Sequence, residues 1–231
     1  MDETIATRLD GIRTRITAAA GRAGRDPASI RLVAVSKTFG LEAVREAAAA
    51  GQADFGENKV QEGLQKVDGT PDLRLTWHLL GPIQSNKAKK AAAGFHWIHA
   101  VDSVDLLRRL DQAAGAAGTT PHLLIQADLA LEPTKHGAVE ADLPAIFEAA
   151  AACTAARVVG LMLLPPWTEN PEDARPWFRR LRELRDGLAL GGVPADHLRE
   201  LSMGMSHDFE VAVEEGATMV RVGTAIFGSR T

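Results

Sequence analysis

Eight short apolar runs, separated for the most part by alanine-rich stretches of helical periodicity, constrain this chain more than any other feature of it. The runs are Ile30 to Lys37, Ala53 to Asn58, Leu75 to Gly81, Trp97 to Asp102, His122 to Leu129, Val158 to Leu164, Glu200 to Met205 and Met219 to Thr224. Each has the length and composition of a strand. Between them the spacing predicts helices over Leu41 to Ala50, Lys59 to Val67, Ser85 to Ala93, Val104 to Ala116, Glu140 to Ala152, Asp173 to Leu188 and His207 to Glu215. Gly51, Pro71, Gly94, Pro121 and Gly216 punctuate the joints. Strands that alternate with helices build a parallel sheet, because only a crossover returns the chain to start the next strand in the same direction. Closure into a (β/α)₈ TIM barrel is the natural eight-strand solution, with an open doubly wound sheet as the competitor.

A further amphipathic helix, Asp2 to Ala23, precedes the first strand and is expected to lie exposed; it lacks the continuous apolar core of a secretory signal or membrane span. With 231 residues and 45% hydrophobic composition, the chain suffices for one substantial core. One domain over residues 1–231 is therefore expected, and no linker or internal repeat divides it. The 26 basic and 30 acidic residues leave a formal charge of −4, which gives no global field toward nucleic acid or an anionic membrane. The lone Cys153, placed in an alanine-rich helix, rules out an intrachain disulfide and fits a reducing compartment, so the cytoplasm is expected.

In such a barrel, working residues come from the C-terminal ends of the strands. The first strand ends Val33-Ala34-Val35-Ser36-Lys37, and period-2 alternation puts Lys37 on the face of Val33 and Val35. If that face is the barrel interior, desolvation lowers the amine pKa from its reference near ~10.4 and makes the nucleophilic form accessible for Schiff-base chemistry. The plainer alternative is a lysine that runs along the surface to solvent. The seventh strand, Leu201-Ser202-Met203-Gly204-Met205-Ser206, leads toward a helix with Ser206 as its expected N-cap. The eighth reads Val220-Arg221-Val222-Gly223-Thr224. Glycines and hydroxyls at the ends of strands seven and eight suit a phosphate site, and also suit ordinary turns. Arg221 within an apolar strand needs a partner, which is a carboxylate such as Glu57 or an acceptor on a ligand. Asn58 and His78 either line the mouth or serve as a helix cap and a satisfied core histidine.

Other chemistries are absent. Neither nucleotide-binding glycine fingerprint occurs, His96 and His99 fall on opposite faces of one strand, and Ser206-His207-Asp208 are consecutive and cannot relay as a triad.

Taken together, Ala34-Val35-Ser36-Lys37-Thr38, Phe55-Gly56-Glu57-Asn58, Trp77-His78, Gly81-Pro82-Ile83-Gln84-Ser85-Asn86-Lys87, Gly160-Leu161-Met162, Leu201 to Ser206 and Val220 to Gly228 resemble the pyridoxal phosphate homeostasis protein family. The resemblance runs in order through nearly the whole chain. It implies a barrel similar to the N-terminal domain of alanine racemase, with pyridoxal 5′-phosphate (PLP) held as a Schiff base on Lys37. It further implies that Ser202, Ser206, Gly223 and Thr224 surround the phosphate, that Arg221 faces the pyridine nitrogen, and that Asn58 and His78 lie near the ring, with Gly204 at the end of strand seven a further cofactor-binding candidate. Phe39-Gly40 and Lys59 depart from the family's usual Lys-Pro and tyrosine, and Lys135 with Gly137 resembles a loop associated with cofactor exchange.

The sequence holds no tyrosine, the residue that supplies one of alanine racemase's two bases, and no second domain is expected. An arginine opposite the ring nitrogen also weakens the electron sink of PLP chemistry. The expectation is a PLP carrier, monomeric, that serves vitamin B6 homeostasis and delivers to PLP-dependent apoenzymes rather than turning over a substrate. An amino-acid racemase using His78 and a Schiff-base aldolase acting on a phosphorylated sugar are the alternatives.

Overall fold

The computed structural model describes residues 3–131 and 136–228, and Lys135 lies outside them. Eight parallel strands close into a barrel in sequence order: β1 (Arg31–Val35), β2 (Asp54–Glu57), β3 (Thr76–Leu79), β4 (Trp97–Val101), β5 (His122–Ala127), β6 (Arg157–Leu163), β7 (Glu200–Ser202) and β8 (Met219–Val222). Closure is made by β1 against β8, in the register Arg31↔Met219 and Val33↔Arg221. The helices are α1 (Ile5–Arg22), α2 (Leu41–Ala49), α3 (Val60–Gly69), α4 (Ala88–Gly94), α5 (Val104–Ala117), α6 (Leu143–Ala150), α7 (Arg175–Leu190), α8 (Phe209–Glu214) and α9 (Thr224–Phe227). The open doubly wound competitor is thereby set aside.

The apolar residues sort into two layers. Ala34, Phe55, Leu79, Ile98, Ile125, Leu161 and Val220 belong to the large core between barrel and helices. Trp97, Leu124, Val159 and Met219 form a separate cluster that fills the inside. The alternation within each strand produces this division, since successive side chains point to opposite faces. Gly160 is required where β6 meets β7, because a Cβ there would stand 1.9 Å from the Glu200 carbonyl oxygen.

The N-terminal helix is less exposed than expected. Thr4 caps α1 by accepting from the Thr7 N–H, and Leu9, Ile12, Ile16, Ala19 and Ala20 are buried at three- and four-residue spacing. That face packs on α2, α8 and α9. Burying each of the three large side chains contributes about 1.5–3 kcal/mol, so α1 is an integral part of the outer layer.

All eight strands end before the bound read from the sequence, and at β1, β7 and β8, which border the site, the local reason is clear. β1 stops at Val35 because Ser36 turns its hydroxyl to Glu57 and Thr38 adopts a φ of 71°. β7 stops at Ser202 because Gly204, at φ 91°, turns the chain away; a Cβ there would lie 2.5 Å from Ala212 Cβ. β8 stops at Val222 because Thr224 opens the short α9. Ser206 does not cap the following helix, which begins at Phe209 after Asp208. Cys153 lies past the end of α6, half-buried, with its thiol pushed up to about 11 by burial and by Asp111. It is a poor nucleophile there.

Candidate functional site

A cleft of about 430 Å³ opens at the C-terminal ends of the strands. Lys37, Asn58 and Arg221 supply its polar atoms, and Val35, Leu80, Leu164, Pro165, Trp167 and Met205 its apolar wall. Lys37 thus lies on the cleft side with Val35, in the turn just past β1, half-buried. Asn58 does not cap α3, whose N-cap is Lys59 without a side-chain bond. Trp167 is 78% exposed on the rim and stacks on His207, with ring centroids 6.3 Å apart. A wider groove of about 770 Å³ adjoins at Asn58 and is lined by Lys59, Lys87, Asp102 and His136 among others.

The partner of Arg221 is not Glu57. Its Nη1 donates to Ser202 Oγ at 2.6 Å and its Nη2 to the Leu163 carbonyl at 2.9 Å. Burial pushes the guanidinium pKa down to about 10, partly offset by Asp208, so Arg221 stays a cation at neutral pH.

Beneath Arg221 a chain of polar side chains runs down the inside of the barrel. Ser202 Oγ lies 2.9 Å from His99 Nδ1, His99 Nε2 lies 3.0 Å from His78 Nδ1, and His78 Nε2 lies 3.0 Å from Asp54 Oδ1. Arg31 closes the far end, donating to Asp54 at 2.7 Å. The direction of the proton in each bond follows from the ends. Asp54's carboxylate, held below its usual range by His78 and Arg31 against the opposing effect of burial, only accepts. His78 therefore carries its proton on Nε2. Burial depresses both imidazoles, His99 the more strongly, so each is neutral with one N–H. His99 then donates from Nε2 to His78, and the Ser202 hydroxyl donates to His99 Nδ1. The Ser202 oxygen is left to accept from Arg221. Each bond along this axis thus has one donor and one acceptor, and the arginine is fixed at the floor of the cleft.

The remaining sequence candidates sit at the ends of β7 and β8. Ser206 Oγ accepts from the Gly223 N–H at 3.1 Å and lies 3.5 Å from the Ala225 nitrogen, so it ties the two turns together. Gly223 passes close to β1, where a Cβ would lie 3.2 Å from the Val35 carbonyl oxygen, and Thr224 is exposed. Gly204 is buried, and its carbonyl accepts from the Arg221 N–H at 3.0 Å. The structure therefore brings Lys37, Asn58 and Arg221 to one cleft, with Ser206, Gly223 and Thr224 at the neighbouring turns. Ser202 and His78 have no exposed surface and lie below Arg221. Sequence reasoning missed Asp54 and Arg31 as the lower end of this axis, and treated His99 only as half of a failed metal pair. Asp54 stands at period-2 spacing from Gly56 and Asn58, the one signal that would have placed it inside. Among the described residues, no cluster of three acidic, histidine or cysteine side chains is suited to a metal ion.

The family model described as the alanine racemase N-terminal domain matches residues 7–231 of this barrel. The chain belongs to the pyridoxal phosphate homeostasis protein family within it. The proteins of that name from Pseudomonas aeruginosa and Aquifex aeolicus are 46% and 44% identical, with 98% and 96% of this chain covered and 96% and 97% of theirs. PipY of Synechococcus elongatus, solved with PLP bound, is 43% identical with a TM-score of 0.86, covering 97% of this chain and all of that one. An alanine racemase from Clostridium difficile shares the fold at 14% identity and a TM-score of 0.73, and this chain spans 57% of its length.

Proposed function

We propose that this chain holds PLP in the cleft between Lys37 and Arg221 and serves PLP homeostasis as a carrier. The observation that carries the reading is Arg221, a buried cation locked from below by Ser202 and Leu163 in the same cleft as a lysine amine. The residues fit the group. A cleft of about 430 Å³ lies within the ~300–1,000 Å³ typical of small-molecule sites, and its walls are mainly apolar. Its donors match an aldehyde, a ring nitrogen and a phosphate. The membership of the family and the PLP-bound PipY support the same assignment.

When bound, PLP supplies an aldehyde that a primary amine takes up with loss of water, and a ring that draws electrons when its nitrogen is protonated. Lys37 presents the amine. Ser206, Gly223 and Thr224, with the backbone N–H groups that open α9, would hold the phosphate. Asn58 would lie beside the ring, and Val35, Leu80 and Met205 would exclude water around it. Arg221 would offer the ring nitrogen an N–H donor and a positive charge, which would keep a proton off that nitrogen. Ser202, His99 and His78 hold Arg221 in place. This arrangement favours keeping the cofactor over using it. His78 has both nitrogens engaged and no exposed surface, which counts against it as a racemase base. The sequence has no tyrosine to replace it. PLP-dependent apoenzymes are the natural recipients, and a cytoplasmic monomer suits that delivery. The described helices include none long and apolar enough to cross a membrane.

The test is to mix the purified chain with PLP, follow the visible absorbance band, reduce with borohydride and map the labelled peptide. The label is expected on Lys37 and is lost in Lys37→Ala; colourless protein, or a label elsewhere, overturns the assignment. Incubation with single-enantiomer amino acids in deuterated water separates carrier from racemase, since a racemase must exchange the α-proton.

A further inference from the structure

The turn that carries Lys37 is held from outside the barrel by a buried ion cluster that takes no direct part in the proposed PLP site. Lys66 on α3 is 5% exposed, and Glu57 at the end of β2 is fully buried. An ammonium has three protons to donate. That of Lys66 meets three oxygens: Glu57 Oε1 at 2.6 Å, the Ser36 carbonyl at 2.7 Å and Glu62 Oε1 at 3.6 Å. The Ser36 hydroxyl donates to the same Glu57 oxygen at 2.6 Å, and the Thr38 N–H donates to Glu62 Oε1 at 2.7 Å. The residue before Lys37 is thus fixed through its hydroxyl and its carbonyl, and the residue after it through its amide.

Thr38 shows what this grip does. Its φ of 71° is a left-handed conformation that a β-branched residue avoids, and such a conformation persists only where the surroundings over-determine it. One residue further, Phe39 packs on Phe227 with ring centroids 5.2 Å apart, which ties the loop to α9. A buried ion pair is weak evidence of stabilisation in its own right, because apolar side chains often serve as well. Apolar side chains would not hold the Ser36 carbonyl and the Thr38 amide, the groups on either side of Lys37. Burial pushes the Glu57 carboxyl up, and its hydrogen bonds to Lys66 and Ser36 oppose that effect.

We infer that Glu57, Lys66 and Glu62 are positioning residues for Lys37: they set the Ser36–Thr38 turn so that the lysine stem enters the cleft toward Arg221. The inference rests on Lys37 being the point of PLP attachment. Its test uses Glu62, the member nearest the surface. Glu62→Ala removes the acceptor of the Thr38 amide at a helix site where alanine is well tolerated, and Glu62→Gln keeps an acceptor oxygen. The growth of the visible band on mixing with PLP, well below the melting temperature, is compared with thermal melting of the same proteins. Glu62→Ala is expected to capture PLP roughly tenfold more slowly, since misplacing a reacting group by about 1 Å costs up to about 100-fold. Its melting temperature should stay close to that of the parent, and Glu62→Gln should restore the parental rate. Capture by Glu62→Ala at the parental rate overturns the inference, even if its melting temperature falls. Lys37→Ala, run alongside, separates the two claims. A full yield of trapped adduct in that variant refutes the attachment point beneath the inference, whereas its loss beside an unaffected Glu62→Ala refutes the positioning role alone.

Discussion

Replacing Ser202 by alanine removes one oxygen from the inside of the barrel and tests the polar axis that holds Arg221. Ser202 is fully buried, with Arg221 Nη1 at 2.6 Å and His99 Nδ1 at 2.9 Å from its oxygen. The substitution strands a guanidinium N–H and an imidazole lone pair on two side chains that are almost wholly buried. A hydrogen bond to a charged group contributes about 1.5–3 kcal/mol, and a buried acceptor left unsatisfied costs about 1–3 kcal/mol. The Leu163 carbonyl still receives the other arm of Arg221 at 2.9 Å, so the lower ends of both ranges apply. The expected loss is about 2.5 kcal/mol. For a chain of this size each kcal/mol corresponds to about 2–4 °C, which gives a fall in melting temperature of about 5–10 °C. Urea unfolding should show the same loss as a lower midpoint at unchanged slope. PLP titration of the variant, followed by absorbance, should give weaker binding, because Arg221 no longer has a fixed rotamer at the floor of the cleft. A loss below about 1 kcal/mol together with unchanged PLP affinity would refute the reasoning, since the axis would then neither stabilise the barrel nor hold the arginine.

Acidification tests the same axis from the other side. His78 and His99 are depressed by burial, so the folded state keeps them neutral while the unfolded chain protonates near pH ~6.5. Their contribution to stability is present above that pH and declines as pH falls below it, by up to about 1.4 kcal/mol per unit for each imidazole. Urea midpoints measured from pH 7.5 down to 5.5 should therefore fall, and a flat profile would count against two neutral buried histidines. The raised carboxyls of Glu57 and Asp208 act in the opposite sense and temper the decline toward lower pH. Gly81→Ala tests the wall beside Asn58: a Cβ there would stand 2.2 Å from the Asn58 carbonyl oxygen. Overpacking against backbone costs about 1–3 kcal/mol and should shift Asn58, so PLP titration is expected to show weakened binding; a variant with parental stability and affinity would contradict that contact.

The extent to which the site was legible in the sequence follows from how local each signal is. Lys37, Arg221 and Gly223 were readable because each stands at the end of, or inside, an apolar run whose two-residue period assigns a face. Ser206 was recognisable as part of a turn, but which amide it would accept from was not. The expected cap on the following helix is local, whereas the Gly223 N–H it accepts from lies 17 residues away. Ser202 shows the same limit. Its position at the end of β7 suggested a hydroxyl facing the mouth, yet Arg221 and His99 occupy that hydroxyl from neighbouring parts of the barrel.

The sequence by itself determined the eight strands, the parallel order that the intervening helices impose, and the placement of a lysine and an arginine at the mouth. Those properties depend on periodicity and chain connectivity, which a linear string carries. Only the tertiary structure decided which polar groups meet: Arg31 with Asp54, His78 with His99 and His99 with Ser202 inside the barrel, and Lys66 with Glu57 outside it. Hydrogen-bond partners in a closed sheet are set by the register and tilt of distant strands. A side chain's neighbours are therefore fixed only when the last strand meets the first.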